Sequence, residues 1–457
     1  MIPFDAENYA LSINSRLSGR RIRISPGGGF AFRPDQVNVR VAHDAGQPDF
    51  PGGLVHDGPP LHPGGLWDYF LFQLDEDEDP IDKVTQWNAQ PSNADSPAFL
   101  NRVFFGEPVY FGNPVYFGNP VYFGNPVYFG NPVYFGNPFD RSSARPAPEP
   151  PEWLEATDCT ALGRPPRVLI VDTGLETELV DGVPLEPAHP RLKGHAAIHS
   201  PWTTAADVSL PTFDQSRTDE DEKDFDADGF LDRQAGHGTF IAGIIRSIAP
   251  GAEIWNWGGL SSFGDGDDYD ISAAIVAAFK TASDTEAGPI DLVNLSLGSF
   301  TEDDEAPDLT VLGDTIAAKQ AQGTVFVAAA GNMGSCRRFW PAALPGVIGV
   351  GATHCGKKAW FSNFGPWVKA CAPGVDIVST FLFFSGAGLP IAGYDSDEYL
   401  GWAEWSGTSF AAPYVAAVIA RRMCDKGEDA LTAAAAVITD DPEPRVTVEG
   451  LGVLVQA

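Results

Sequence analysis

Ser406-Gly407-Thr408-Ser409-Phe410-Ala411-Ala412-Pro413, near the end of a 457-residue chain, decides how the fold is read. A small-residue turn leads into Ser409, and a small apolar run follows it: Ala411, Ala412, Val415, Ala416, Ala417 and Val418. The pattern predicts a tight turn that places Ser409 at the start of a buried helix. Backbone N–H groups and the helix dipole favour negative charge there. A nucleophile that builds a tetrahedral oxyanion gains from that position. Taken alone, the stretch also has a plain structural reading, because small residues crowd many helix starts.

Two upstream segments supply what a serine nucleophile needs. In Arg167-Val168-Leu169-Ile170-Val171-Asp172-Thr173-Gly174 an apolar run of strand length ends in a carboxylate and a glycine turn. It predicts a buried parallel strand that delivers Asp172 at its C-terminal edge, where open α/β sheets place their chemistry. An Asp that only caps the next turn is the other reading. In Ala235-Gly236-His237-Gly238-Thr239-Phe240-Ile241-Ala242-Gly243 a histidine stands between two glycines at the start of a small-residue helix. Those glycines let the backbone pack closely and leave the imidazole facing a site. The order Asp172, His237, Ser409 is one of three in which unrelated folds assemble a Ser-His-Asp triad.

With these three motifs in this order, the chain resembles the subtilisin-like serine peptidases (subtilases). Two more segments agree. Thr324-Val325-Phe326-Val327-Ala328-Ala329-Ala330-Gly331-Asn332 ends in the Asn that donates its side-chain amide to the oxyanion in that family. Val293-Asn294-Leu295-Ser296-Leu297-Gly298 resembles the family's edge strand, and implies that Ser296, Leu297 and Gly298 pair with an extended peptide. The resemblance implies a serine endopeptidase: Ser409 attacks, His237 moves the proton, Asp172 orients the imidazole, and Asn332 with the Ser409 N–H holds the oxyanion. It implies no cofactor for the chemistry and a peptide or protein substrate. A catalytically silent subtilase scaffold acting as a binding module is the alternative.

The resemblance covers roughly 160–457 and extends to the last residues, Glu449–Ala457. Apolar runs at Val168–Val171, Ile254–Trp257, Leu292–Leu295, Val325–Ala329 and Val347–Val350 alternate with helical patterns near Ser272–Thr281, Leu309–Gln322 and Ser409–Arg421. Such alternation predicts an α/β fold, a mostly parallel sheet with helices on both faces, which the resemblance implies is subtilisin-like.

Two departures from the family pattern stand out. Asp172 and His237 lie 65 positions apart (237 − 172), which implies an insertion. Within it, Asp224, Asp226, Asp228, Gly229 and Asp232 resemble the first part of a calcium loop, yet Ala235 stands where an EF-hand needs a bidentate Glu. A structural calcium and a solvated acidic loop are both open readings. In Met333–Pro341, matching Trp340-Pro341 to the family's aromatic-Pro pair puts Phe339 where many members have Gly. A Phe there makes the substrate pocket shallow, which predicts cleavage after small or medium side chains.

The N-terminal third is read as an irregular region. Residues 1–104 are Gly/Pro-rich, with apolar runs at Val37–Val41 and Leu66–Leu74 and a short helix at Ile81–Trp87. They are expected to act as a pro-segment or a binding module. Residues 105–140 hold six near-copies of the hexapeptide Phe-Gly-Asn-Pro-Val-Tyr. Proline in every copy favours a turn-rich tract over a ladder; a short structured ladder and a recognition peptide are the other readings. Residues 141–151 are a Pro-rich linker, and 152–457 are the peptidase domain.

With 61 acidic against 29 basic residues the net charge is −32, which disfavours nucleic acid and anionic membrane as partners. Five cysteines show no Cys-x-x-Cys zinc spacing, and nothing in their placement demands a disulfide. Met1–Asn8 lack a basic-then-apolar signal profile. The expectation is therefore a cytoplasmic protease, with secretion by a non-standard route as the alternative. A cytoplasmic protease needs restraint, by its own N-terminal region or through an activating partner.

Overall fold

The computed structural model describes residues 22–25, 30–55, 59–106, 142–150, 158–180, 183–198, 223–224, 229–285, 288–301, 311–386, 398–439 and 446–457. Its centre is a parallel sheet in the order Ala196–Ile198, Glu253–Gly258, Arg167–Asp172, Leu292–Leu295, Val325–Ala329, Ile348–His354, Val368–Pro373 and Gly452–Leu454. The antiparallel strand Thr447–Val448 closes one edge. Arg167–Asp172 lies between Glu253–Gly258 and Leu292–Leu295, with Leu169 opposite both Trp255 and Val293. Every residue of that strand is buried. A parallel strand covered on both faces has no solvent side, so its sequence reads as an unbroken apolar run.

Side chains of this sheet alternate between two cores, as the two-residue strand repeat requires. Val168, Ile170, Leu292, Val325 and Val327 face one core, together with the helices His237–Ile248, Thr408–Lys426 and Ala430–Ile438. Leu169, Val171, Val293, Leu295 and Phe326 face the other, with the helices Asp268–Asp284 and Val311–Gln320. The result is helix, sheet, helix, as the alternation of strands and helices predicted.

The N-terminal region departs from the irregular chain expected. Ala31–Ala42 pairs antiparallel with Trp67–Gln73 on one side and with Ala98–Gly106 on the other. A helix, Pro80–Asn88, packs its Trp87 into the core formed by Val37, Val39, Phe50 and Phe72. Asp79 caps that helix by accepting the Ile81 N–H at 2.9 Å, and Pro80 takes the first turn, where no N–H is needed. The Ala98–Gly106 strand crosses the 104/105 boundary and continues into the larger unit. Its far end lies between Asp265–Asp267 and Leu297–Gly298, antiparallel to both. Apart from Phe105 and Gly106, the hexapeptide tract up to Asp140 lies outside the described residues. In the Pro-rich segment, Arg145-Pro146 pairs with Ala403 and Glu404, and Ala144 is buried.

Cys159 and Cys424 form a disulfide across 265 positions. It ties the entry to the central sheet to the end of the Thr408–Lys426 helix. Replacing Cys424 with Ala lowers the unfolding free energy by about 2–5 kcal/mol. Urea unfolding measures it, and a reducing agent lowers the parent protein to the same midpoint.

Candidate active site

Asp172 ends its strand at the C-terminal edge of the sheet. Its Oδ1 accepts the Thr173 N–H at 2.8 Å and faces His237 Nδ1 at 2.6 Å. Asp172 and His237 are both completely buried. An ionised carboxylate only accepts, so Nδ1 carries the proton and Nε2 keeps the lone pair a general base needs. Among the described residues, His237 Nε2 has no hydrogen-bond partner. Trp405 meets the ring edge-on at 5.7 Å between centroids, and Phe410 packs at 5.5 Å.

The flanking glycines have physical reasons. Gly236, which precedes the His237–Ile248 helix, has φ 83°, and a Cβ on it would sit 2.3 Å from the Phe381 ring. A Cβ on Gly238 would sit 2.2 Å from the Gly174 carbonyl oxygen. That close approach lets the Gly238 N–H donate to Thr173 Oγ1 at 3.0 Å, which locks the two motifs together.

Ser409 is the second residue of the Thr408–Lys426 helix and is fully buried. Its hydroxyl donates to the Ser296 carbonyl at 3.2 Å, and the Ser296 hydroxyl donates back to the Ser409 carbonyl at 2.8 Å. Ser409 thus sits against the Ser296–Gly298 edge, and its hydroxyl is turned to that strand. Asn332 Oδ1 accepts the Thr408 N–H at 2.9 Å and the Thr408 hydroxyl at 3.0 Å. Because a backbone N–H can only donate, this contact fixes which end of the amide is oxygen. The NH2 group is held on the side away from Thr408.

The expected peptide-binding edge is already paired. Leu297 lies opposite Gly106 and Gly298 opposite Phe105, while Asp265, Gly266 and Asp267 lie opposite Phe105, Phe104 and Val103. The Gly106 N–H donates to the Gly264 carbonyl at 2.9 Å, and Gln234 Nε2 donates to the Gly106 carbonyl at 2.8 Å. Phe104 is 3% exposed and joins the core of Leu260, Ile271 and Leu297. Phe339 is buried against Gly298, where a Cβ would sit 2.0 Å from its ring. Arg33 of the N-terminal sheet reaches Asp265 at 2.9 Å and Asp267 at 3.2 Å, all three buried. Burial opposes the Arg33 charge, and the two carboxylates overcome it, holding the guanidinium above its usual range.

In the acidic insertion, Asp224 accepts the Gly229 N–H at 2.9 Å and Asp232 accepts the Ser262 hydroxyl at 2.6 Å. Asp226 and Asp228 lie outside the described residues. Sequence reading missed Gln234, Thr173, Thr408 and Arg33. The first three stand beside motifs that were read, whereas Arg33 carries no local signal.

A parallel sheet between two helical layers puts the chain in the α/β class, and an Asp–His couple and a helix-start Ser lie on it. Within that class the chain belongs to the Subtilase family, whose model matches residues 163–436. It is 36% identical over 195 residues to "Thermophilic serine proteinase" of Bacillus sp. (strain AK1), covering 40% of this chain and 41% of that protein. It is 34% identical over 196 residues to "Minor extracellular protease Epr" of Bacillus subtilis, covering 40% of this chain and 26% of that one. It is 34% identical over 199 residues to "Extracellular protease" of Xanthomonas campestris, covering 40% and 32%. The chain thus spans less than half the length of these relatives.

These names overturn the cytoplasmic expectation. That expectation rested on the profile of Met1–Asn8, whereas similar proteins are named extracellular. The Cys159–Cys424 disulfide also suits an oxidising compartment. Among the described residues, no helix is long and apolar enough to cross a membrane.

Proposed function

We propose that the chain is a serine endopeptidase whose cleft is blocked by its own N-terminal region. The observation that carries this reading is the Val103–Gly106 segment, which lies between Asp265–Asp267 and Leu297–Gly298, the latter strand starting directly after Ser296, the partner of Ser409. Ser409 attacks a peptide carbonyl, and His237 Nε2 takes its proton and returns it to the leaving amine. Asp172 holds the Nδ1–H tautomer and stabilises the imidazolium. The Asn332 amide and the Ser409 N–H receive the oxyanion. In the blocked chain the Ser409 hydroxyl serves Ser296, and on activation it turns to Nε2. Catalytic hydrogen bonds are often unmade until substrate arrives. Hydrolysis of a labelled peptide library by the activated protein, lost in Ser409→Ala, tests the assignment. Phe339 predicts cleavage after small or medium residues, and a strong preference for Phe or Tyr contradicts that part.

Asn332→Ala lowers kcat by roughly 10²–10³-fold with KM little changed, because the amide acts only once the oxyanion forms. Steady-state kinetics on activated protein measures it. The silent-scaffold reading draws on the same Ser409–Ser296 contact, and it requires that no variant hydrolyse peptide.

The 223–232 loop is proposed as a calcium clamp, with Asp224 as its one described ligand. Asp232, engaged by Ser262, supports the loop from inside. Chelation with EGTA then lowers Tm by several degrees, and calorimetry before and after calcium addition measures it.

A further inference from the structure

We propose that the hexapeptide tract is a tandem array of spare ligands for the cleft, each able to take the place of Val103–Gly106. This rests on the reading of the cleft given above. The segment seen in the cleft is Val103-Phe104-Phe105-Gly106, followed in sequence by Glu107-Pro108. Read in that phase, the chain then repeats Val-Tyr-Phe-Gly-Asn-Pro without a break at 109–114, 115–120, 121–126, 127–132 and 133–138. Each copy keeps the features the cleft uses. Val103 and Phe104 are buried, and the copies place Val and Tyr there. A Cβ on Gly106 would sit 2.0 Å from Gln234 Oε1 and would displace the amide that donates to the Gly106 carbonyl; the copies place Gly112, Gly118, Gly124, Gly130 and Gly136 at that position. Pairing to the flanking strands is through the backbone and carries over unchanged.

The copies rank behind the resident segment for two reasons. Tyr brings a hydroxyl into a position where Phe104 is 3% exposed, and a buried hydroxyl needs a partner. The resident strand is also held by the N-terminal sheet, through Ala31 opposite Val103 and Phe32 opposite Arg102. A copy on the same chain meets the cleft at an effective concentration on the order of 1 mM, so a dissociation constant of about 0.1 mM keeps the cleft roughly 90% filled. Every copy also places Pro two residues after its Gly. The bond after the Asn of each copy is thus an X–Pro bond, which has no amide N–H. Undocking the N-terminal sheet opens the enzyme only in part, and full activity requires a substrate that outcompetes the array.

Fluorophosphonate labelling of three full-length chains tests this. The first is the parent. The second carries Phe104→Asp and Gly106→Val, which dislodge the resident strand. The third adds Gly→Val at 112, 118, 124, 130 and 136, so that each copy collides with Gln234. The third labels about tenfold faster than the second, and the synthetic peptide Val-Tyr-Phe-Gly-Asn-Pro slows it again while its Gly→Val analogue does not. Equal rates in the second and third, or no effect of the peptide, overturn the array while leaving the peptidase assignment intact. Absence of labelling in all three removes both.

A separate observation carries a second inference. We infer that His43, His62 and Asp68 form a site for a divalent cation of the zinc class. His43 Nδ1 and His62 Nδ1 both face Asp68 Oδ1, at 3.0 and 2.7 Å, and the two rings stack at 4.0 Å. The Asp44 N–H orients the same carboxylate through Oδ2 at 3.1 Å. Tetrahedral zinc ligands stand about 3.3 Å apart; the two imidazole–carboxylate distances are a few tenths of an ångström shorter, and the three ligand atoms lie within 4.8 Å of one another. Asp68 is buried while both imidazoles are about two-fifths exposed, so the anchor is fixed and the remaining coordination positions face solvent. One zinc ion in place of two imidazole protons joins the turn after Ala31–Ala42 to the start of Trp67–Gln73. Equilibrium dialysis of zinc against the full chain, with cysteines alkylated, finds one ion per chain at micromolar affinity. His43→Gln/His62→Gln weakens it at least tenfold. No bound zinc, or the same affinity in the double variant, overturns the site and leaves an Asp68 hydrogen-bond cluster.

Discussion

Asp172→Asn lowers kcat of the activated protein by about four orders of magnitude, with KM little changed. The carboxylate accepts from Thr173 N–H and His237 Nδ1 on one oxygen. An amide in its place can turn its NH2 toward Nδ1. The imidazole then moves its proton to Nε2, which becomes a donor and cannot accept the Ser409 proton. Because the strand and both cores stay intact, the protein folds and binds peptide as before. A drop tenfold or smaller in single-turnover kinetics contradicts the role given to Asp172.

Arg33→Leu weakens docking of the N-terminal sheet by roughly 3–5 kcal/mol, or about two to three and a half orders of magnitude in the docking equilibrium. Arg33 neutralises Asp265 and Asp267, which lie opposite Phe105 and Val103. Without it, two carboxylates stay buried in the docked state, whereas undocking returns them to water. The penalty therefore falls on the blocked state alone. Hydrogen exchange at Gly106, whose N–H donates to Gly264, reports the change directly and rises by at least a hundredfold. Peptide hydrolysis rises about tenfold, the repeat copies holding back the remainder. Unchanged exchange at Gly106 contradicts the blocking role of this contact.

The central sheet was legible because its strands are buried on both faces: Arg167–Asp172 and Val325–Ala329 read as apolar runs with no polar interruption. The Asp172–His237 couple was legible because the glycines around His237 are local necessities, as the Phe381 ring at Gly236 demonstrates. The N-terminal sheet was hidden for a physical reason. Ala31–Ala42 carries Arg33 and Arg40 at buried positions and Pro34 within the strand, which breaks the two-residue hydrophobic rhythm. Arg33 is satisfied by carboxylates more than 230 positions away, and Arg40 stacks over Trp67. No sequence window contains both halves of such a pair. The Cys159–Cys424 bond was out of reach in the same way, since 265 positions separate its ends. The cleft strand illustrates a third limit. Val103–Gly106 differs from the repeat that follows only at Phe104, where the copies carry Tyr, and only the register against Leu297 and Gly266 shows what that sequence fits.

The most direct test is mass-spectrometric mapping of a fluorophosphonate adduct on the Arg33→Leu chain. The account predicts one adduct, on Ser409, whose formation slows at least a hundredfold when His237 becomes Ala. An adduct elsewhere, or one on Ser409 that forms equally fast without the imidazole, contradicts it.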